Sequence, residues 1–138
     1  SVAGARTQLN RLVKALGQPL STDKKLFTTP QAVLNSDLQM IKVPQARRDT
    51  LTALAAFVLQ QPDADPQQWL QLKGIGPWTV NYARLRGVSD SDIWLGGDLG
   101  VQKALALAAS AGTGTAESDS LAPWRSYATL QLWFSLGG

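Results

Sequence analysis

The chain has 138 residues, 44% of them hydrophobic, and a formal net charge of +3. That length suits one compact domain or two small helical lobes, and the mild basic excess allows a nucleic-acid partner without demanding one. It contains no cysteine and no histidine, which excludes disulfides, thiolate nucleophiles, Cys-ligated zinc or iron–sulfur clusters and imidazole general bases. Any catalysis must therefore rest on carboxylates, lysines, hydroxyls, aromatic rings or backbone groups.

In chain order the pattern is helical nearly throughout. The opening Ser1-Val2-Ala3-Gly4 reads like the interior of a longer protein, with neither a signal peptide nor a membrane-length apolar run. Leu9, Leu12, Val13 and Leu16 recur at helical spacing, with Gly17 as a stop. Arg6, Arg11 and Lys14 lie mostly off that stripe, as a solvated face would. Thr29-Pro30 reads as N-cap and first position of a short helix through Val33 and Leu34. Ser36-Asp37 suits the cap of another brief turn. Pro44 opens a longer helix whose Leu51, Leu54, Ala55 and Val58 are spaced for one buried face. After the loop 60–65, Pro66 begins a helix that carries Trp69, Leu70 and Leu72 into a glycine-rich hairpin.

That hairpin, Leu72-Lys73-Gly74-Ile75-Gly76-Pro77-Trp78-Thr79, has the form Leu-x-Gly-Ile-Gly-x-x-Thr. Its glycines remove side-chain bulk and permit positive φ, and Pro77 suits the first turn of a helix. Backbone N–H groups at such a helix start favour a phosphate. The motif reads as the hairpin of a helix-hairpin-helix, a sequence-nonspecific DNA grip. A helix C-cap glycine followed by an ordinary turn would look the same on spacing alone.

The second helix of the motif runs from Pro77 to Arg86, with Gly87 as its end. Asp90 to Gly97 reads as a loop anchored by Ile93 and Trp94. Asp98 precedes a helix through Val101, Leu105 and Ala108. Gly112 to Ser120 is small, polar and flexible in composition. Pro123 opens a last helix with Tyr127, Leu130, Trp133 and Phe134 on its apolar side. No alternating strand pattern, internal repeat or charge block appears, so the fold class is all-α.

Several side chains around the hairpin stand out. Trp78 and Tyr82 are four apart on the helix that leaves it, so they share a face. Asp98 follows two glycines at a helix start, and Trp124 follows Pro123. The aromatics also suit plain core packing, and Asp98 alone suits plain capping.

Taken together, in order and spacing, these residues resemble the DNA-3-methyladenine glycosylase II family of helix-hairpin-helix base-excision glycosylases. The likeness is carried by Leu72 to Tyr82, Leu85-Arg86-Gly87, Asp98-Leu99-Gly100-Val101, Pro123-Trp124-Arg125-Ser126-Tyr127 and Leu132-Trp133. It is strongest from Leu70 onward and continues more weakly through Arg6–Val58. The resemblance implies two small helical lobes flanking a cleft, with the hairpin at about 70–86 of a single glycosylase region, 1–138. It implies that Asp98 is the catalytic aspartate and that Trp78, Tyr82 and Trp124 line the pocket for an everted base. Gly74, Ile75, Gly76 and Thr79 match the hairpin that meets DNA phosphate. Related hairpins hold an alkali-metal ion, Na+ or K+, through main-chain carbonyls, here those of Leu70, Leu72 and Ile75. No other cofactor is implied.

The implied partner is double-stranded DNA carrying alkylated bases, met by a monomer in the bacterial cytoplasm. The chemistry is hydrolysis of the N-glycosidic bond in base-excision repair. Base-and-backbone-cutting relatives place a Schiff-base lysine two residues after the second hairpin glycine. Here that residue is Trp78, which implies a monofunctional enzyme with water as final nucleophile. An alkylated purine is already cationic and leaves as a neutral base, which suits a chain without histidine. A carboxylate can then stabilise the oxocarbenium-like sugar, and aromatic faces attract the cationic base.

This chain departs from the family's pattern in three ways. The family's N-terminal α/β domain and the helix after it have no counterpart here, so the chain is expected to be the catalytic portion of a longer protein. Gly97 stands where many members have an acid or small polar residue. The segment 112–120 replaces a more regular one. A noncatalytic helix-hairpin-helix DNA-binding module, a truncated inactive glycosylase fragment and a helical protein-interaction domain stay open as alternatives. Among substrates, 3-methyladenine leads, with 7-methylguanine, hypoxanthine and oxidised pyrimidines also open.

Overall fold

The computed structural model describes residues 1–113 and 117–137. Its helices are α1 (Val2–Leu16), α2 (Pro30–Leu34), α3 (Gln45–Gln60), α4 (Pro77–Ala83), α5 (Leu99–Ser110) and α6 (Arg125–Ser135). Shorter 3-10 helices cover Pro66–Gln71 and Ser118–Leu121, and a π turn covers Arg84–Val88. Apart from one isolated antiparallel bridge, Pro19 to Lys25, no strand occurs among the described residues. The class is all-α. Within those residues no helix is long and apolar enough to cross a membrane. The chain divides into two compact units, Ser1–Ile75 and Gly76–Gly138.

In the first unit, Leu12, Val33, Leu38, Ile41 and Ala55 form a core that Leu16, Leu34, Met40 and Val43 extend. Thr29 caps α2 as its sequence indicates, its hydroxyl accepting from Ala32 N–H at 3.2 Å, with Pro30 at the first position. Ser36 and Asp37 also behave as caps, accepting from Leu38 N–H and Gln39 N–H at 3.0 Å each. The inward face of α3 differs from expectation. Ala55 and Phe57 are buried, Leu54 and Val58 half-buried, and Leu51 exposed. Apolar residues surround this helix on nearly every side, so spacing alone did not select the inward face. On α1, Leu12 is buried while Leu9 is exposed, and Gly17 ends the helix in an extended conformation.

The helix expected to begin at Pro66 is a 3-10 helix that stops at Gln71, with Asp65 Oδ1 accepting from Gln67 N–H at 2.7 Å. Beyond it, Ile75 N–H donates to Leu72 C=O at 3.1 Å and closes the hairpin turn. Gly74 has φ +92°, and a Cβ there would collide with the Thr50 side chain of α3. Thr50 Oγ1 lies 2.8 Å from Ala46 C=O and 3.0 Å from Lys73 C=O, both of which it can donate to. Gly74 is thus required twice, for its backbone region and for the close approach of α3.

The second unit begins at Gly76, which is extended, with nothing within 4 Å of a Cβ built on it. Positive φ is therefore needed at Gly74 and not at Gly76. Pro77 starts α4 as expected. The turn after α4 does not end at Gly87. It widens into the π turn and ends at Ser89, whose φ is +59°. Asp90 N–H donates to Arg84 C=O at 3.1 Å, and the Arg84–Asp90 ion pair spans 2.8 Å, so both ends of the turn are tied across it.

The second core joins Leu85, Ile93, Leu95 and Val101, extended by Trp94, Leu105, Leu130, Leu132 and Trp133. The loop anchors are thus Ile93 and Leu95, with Trp94 half-buried. The loop is bound to α6 by polar contacts. Ser126 Oγ accepts from Ile93 N–H at 2.9 Å and donates to Asp90 C=O at 2.5 Å. Arg125 grips Asp92 with two bonds of 2.7 and 2.6 Å. Consequently α6 turns Ser126 and Thr129 inward, while Tyr127 and Phe134 are exposed rather than on the buried side. After α5, Gly112 takes φ +73°. The flexible reading of 112–120 falls partly on 114–116, outside the described residues.

Candidate active site

Asp98 is the convergence point of the second unit. The loop 90–97 reaches it already fixed on α6, and Asp98 N–H donates to Leu95 C=O at 2.8 Å. Its carboxylate then caps α5, Oδ2 accepting from Val101 N–H at 3.0 Å. Plain capping would stop there. Instead Oδ2 also accepts from Trp133 Nε1 at 2.8 Å, and Oδ1 accepts from Trp78 Nε1 at 3.0 Å. Two indoles from different helices hold one carboxylate, together with the helix start.

These bonds set its protonation. Burial alone would raise the Asp98 pKa. The donors Trp133, Val101, Trp78 and Gly100 together outweigh that and hold it below the ordinary aspartate value. The group is an anion at neutral pH, suited to stabilising positive charge and unsuited to donating a proton. Accepting only one of these bonds, Oδ1 keeps a lone-pair direction open.

The rings form a ladder. Trp78 stacks on Tyr82 with centroids 5.0 Å apart at 17°. Tyr82 meets Trp133 at 6.0 Å and 46°. The Arg86 guanidinium lies 5.6 Å from the Trp133 ring centre, a cation–π contact. Trp78 and Tyr82 remain 47% and 38% exposed, so the ladder is open to a ligand.

Trp133 and Gly100 join this site without having been singled out in it. A Cβ on Gly100 would stand 2.9 Å from Asp98 Oδ2 and 3.1 Å from Trp133 Cδ1, so glycine makes room for their bond. The available signal was a tryptophan on an apolar stripe, whose indole N–H needs a partner when buried. Trp124 is not brought to the ladder. It sits at the start of α6, 60% exposed, with its ring on Tyr127 at 5.7 Å. Nine residues separate it from Trp133, roughly 13 Å along a helix axis. In the hairpin, Ile75 is buried, Gly76 half-buried, and Gly74 and Thr79 exposed.

For metals, no group of three or more acidic side chains that could hold an ion occurs among the described residues. At the hairpin, Leu72 C=O already accepts from Ile75 N–H, which leaves it one lone pair.

Two concavities flank the ladder within this unit. One, of about 190 Å3, is lined by Pro77, Trp78, Asn81, Trp94, Leu95 and Gly97. The other, of about 540 Å3, is lined by Arg86, Tyr127, Leu130, Gln131, Trp133 and Phe134.

No family model matches the chain. It is 36% identical over 152 residues to a Mycobacterium tuberculosis protein described as probable bifunctional transcriptional activator/DNA repair enzyme AlkA, covering 99% of this chain and 31% of that protein. It is 30% identical over 155 residues to Escherichia coli DNA-3-methyladenine glycosylase 2, covering 99% of this chain and 53% of that protein. The chain thus spans between about a third and a half of the length of these curated relatives.

Proposed function

We propose that the chain, similar over 99% of its length to DNA-3-methyladenine glycosylase 2 and to an AlkA relative, is of the DNA-3-methyladenine glycosylase II family and releases alkylated purines from duplex DNA as a monofunctional DNA glycosylase. The observation that carries this reading is the Asp98 carboxylate held by Trp78 and Trp133 at 3.0 and 2.8 Å beside an exposed aromatic ladder. Simple capping requires neither indole.

The reaction follows from that geometry. A damaged base stacks and pairs weakly, so everting it costs less. The exposed face of Trp78, backed by the stacked Tyr82 ring, attracts a cationic purine by ~0.5–2 kcal/mol. As the N-glycosidic bond breaks, its electron pair leaves with the base, which becomes neutral and needs no acid. The Asp98 anion stabilises the positive charge developing on the sugar, and water completes the hydrolysis. Trp78, standing in the position of the lyase lysine, provides no amine for a Schiff base.

Gly74, Ile75, Gly76 and Thr79 are assigned to the DNA backbone on this reading. The first-turn N–H groups of α4 lack intrahelical partners and favour phosphate. An alkali ion on the carbonyls of Leu70, Leu72 and Ile75 would stiffen the turn. The substrate is duplex DNA in the bacterial cytoplasm.

Asp98→Asn tests the proposal, because asparagine caps a helix as well as aspartate does. The variant is expected to fold and bind duplex as before while losing release of 3-methyladenine from methylated DNA. Equal release by both proteins would refute the catalytic role. Duplex binding without release by either would leave the DNA-binding module, the reading that the Asp98–Val101 cap by itself favours.

A further inference from the structure

The two concavities beside the ladder differ in charge, and that difference selects between them for a cationic base. The larger holds the Arg86 guanidinium, which already occupies a face of Trp133 and repels a second cation. The smaller has no charged side chain in its lining. Two of its lining residues adjoin Asp98, since Gly97 precedes it in the chain and the Trp78 indole N–H donates to its carboxylate. Tyr82 covers one face of Trp78 and does not line this pocket. Its 190 Å3 equals roughly six waters at ~30 Å3 each, the scale of one planar base.

Within this lining a single side chain can both donate and accept, the Asn81 amide. Its side chain makes no hydrogen bond to other described residues, although its carbonyl serves α4. An asparagine amide pairs with adenine in a bidentate way, donating to N7 and accepting from the N6 amino group. In 3-methyladenine the methyl group is on the opposite edge, so both positions stay available. In 7-methylguanine N7 carries the methyl group and O6 replaces the amino donor, leaving at most one bond.

We infer that Asn81 is a specificity-determining residue, reading the N6/N7 edge of a purine stacked on Trp78 and favouring 3-methyladenine over 7-methylguanine. The inference rests on the glycosylase reading for its reaction and on the pocket for its selectivity.

The test is release of both bases from methylated duplex by the unaltered protein, Asn81→Leu and Asn81→Ser. Leucine keeps the volume and removes the amide, and serine covers a leucine variant that fails to fold. The unaltered protein is expected to favour 3-methyladenine by roughly 5- to 150-fold, the discrimination of one bidentate pair. The variants should lose most of that ratio, because 3-methyladenine release slows by more than 7-methylguanine release does. A ratio that is unchanged in both variants overturns the inference and leaves the glycosylase reading intact. Should the unaltered protein release neither base, the glycosylase reading fails, and quenching of tryptophan fluorescence by the free bases decides the pocket assignment. Tighter binding of 3-methyladenine, lost in the variants, supports Asn81 as the reader. Equal binding of the two bases, or a preference kept by the variants, refutes it.

Discussion

Replacing Trp133 by phenylalanine tests whether the second indole governs the Asp98 carboxylate. The substitution keeps an aromatic ring against Tyr82 and Arg86 and removes the N–H that reaches Asp98 Oδ2 at 2.8 Å. Val101 N–H on the same oxygen and Trp78 on the other, each at 3.0 Å, remain, together with the Gly100 N–H. A hydrogen bond to a charged group contributes about 1.5–3 kcal/mol. Asp98 is only partly buried, so water recovers some of this, and the lower end, about 1.5 kcal/mol, is the expected loss. That bond is made in the ground and transition states alike, so base release slows only as far as the loosened carboxylate is misplaced.

The smaller ring also leaves a packing defect, which does not depend on pH. The lost bond does. Asp98 has a lowered folded-state pKa, so its contribution is present above the ordinary aspartate value and disappears as pH falls through the folded one. Urea unfolding near neutrality and in acid separates the two effects. The gap between Trp133→Phe and the unaltered protein should narrow in acid, because both then carry a protonated Asp98. A gap of the same size at both pH values, with base release unaffected, would refute the role assigned to Trp133.

Gly100→Ala should reproduce that loss of release by crowding Asp98 Oδ2 and Trp133 Cδ1, while stability falls little because alanine favours the helix by up to ~1 kcal/mol. Paired urea and release measurements check this. Gly74→Ala should destabilise by roughly 2 kcal/mol or more, from its left-handed backbone and the Thr50 collision. Adding Thr50→Ala should restore part of that in thermal unfolding, since only the collision is relieved. Asp98→Ala should unfold at lower urea than Asp98→Asn by about 1 kcal/mol, the contribution of the lost cap. Arg125→Lys should weaken the grip on Asp92 and loosen the loop that carries Asp98, seen as faster amide exchange over 90–97, because a lysine cannot supply the two-pronged bond.

Local rules made much of this protein legible. Proline at a helix start after a capping residue located α2, and proline after glycine located α4. The spacing of Trp78 and Tyr82 put them on one face, and the aspartate before an apolar helical run marked Asp98 as a cap. Each is a statement about neighbours within one or two turns, where backbone geometry decides. Spacing misled where a helix had apolar residues all round, as on α3, and glycine misled at Gly87, where the turn widens and ends at Ser89 instead.

What the amino-acid sequence determined by itself is therefore the helical class, the hairpin and the two local parts of the site. Tertiary structure decided which second tryptophan reaches Asp98. Ser126 and Arg125 fasten α6 to the loop 90–97, and Trp133 on that helix bonds Asp98 across 35 residues of chain. It also put Thr50 against Gly74, 24 positions apart. Such pairings depend on which faces of different helices meet, and no spacing rule within a single helix specifies that.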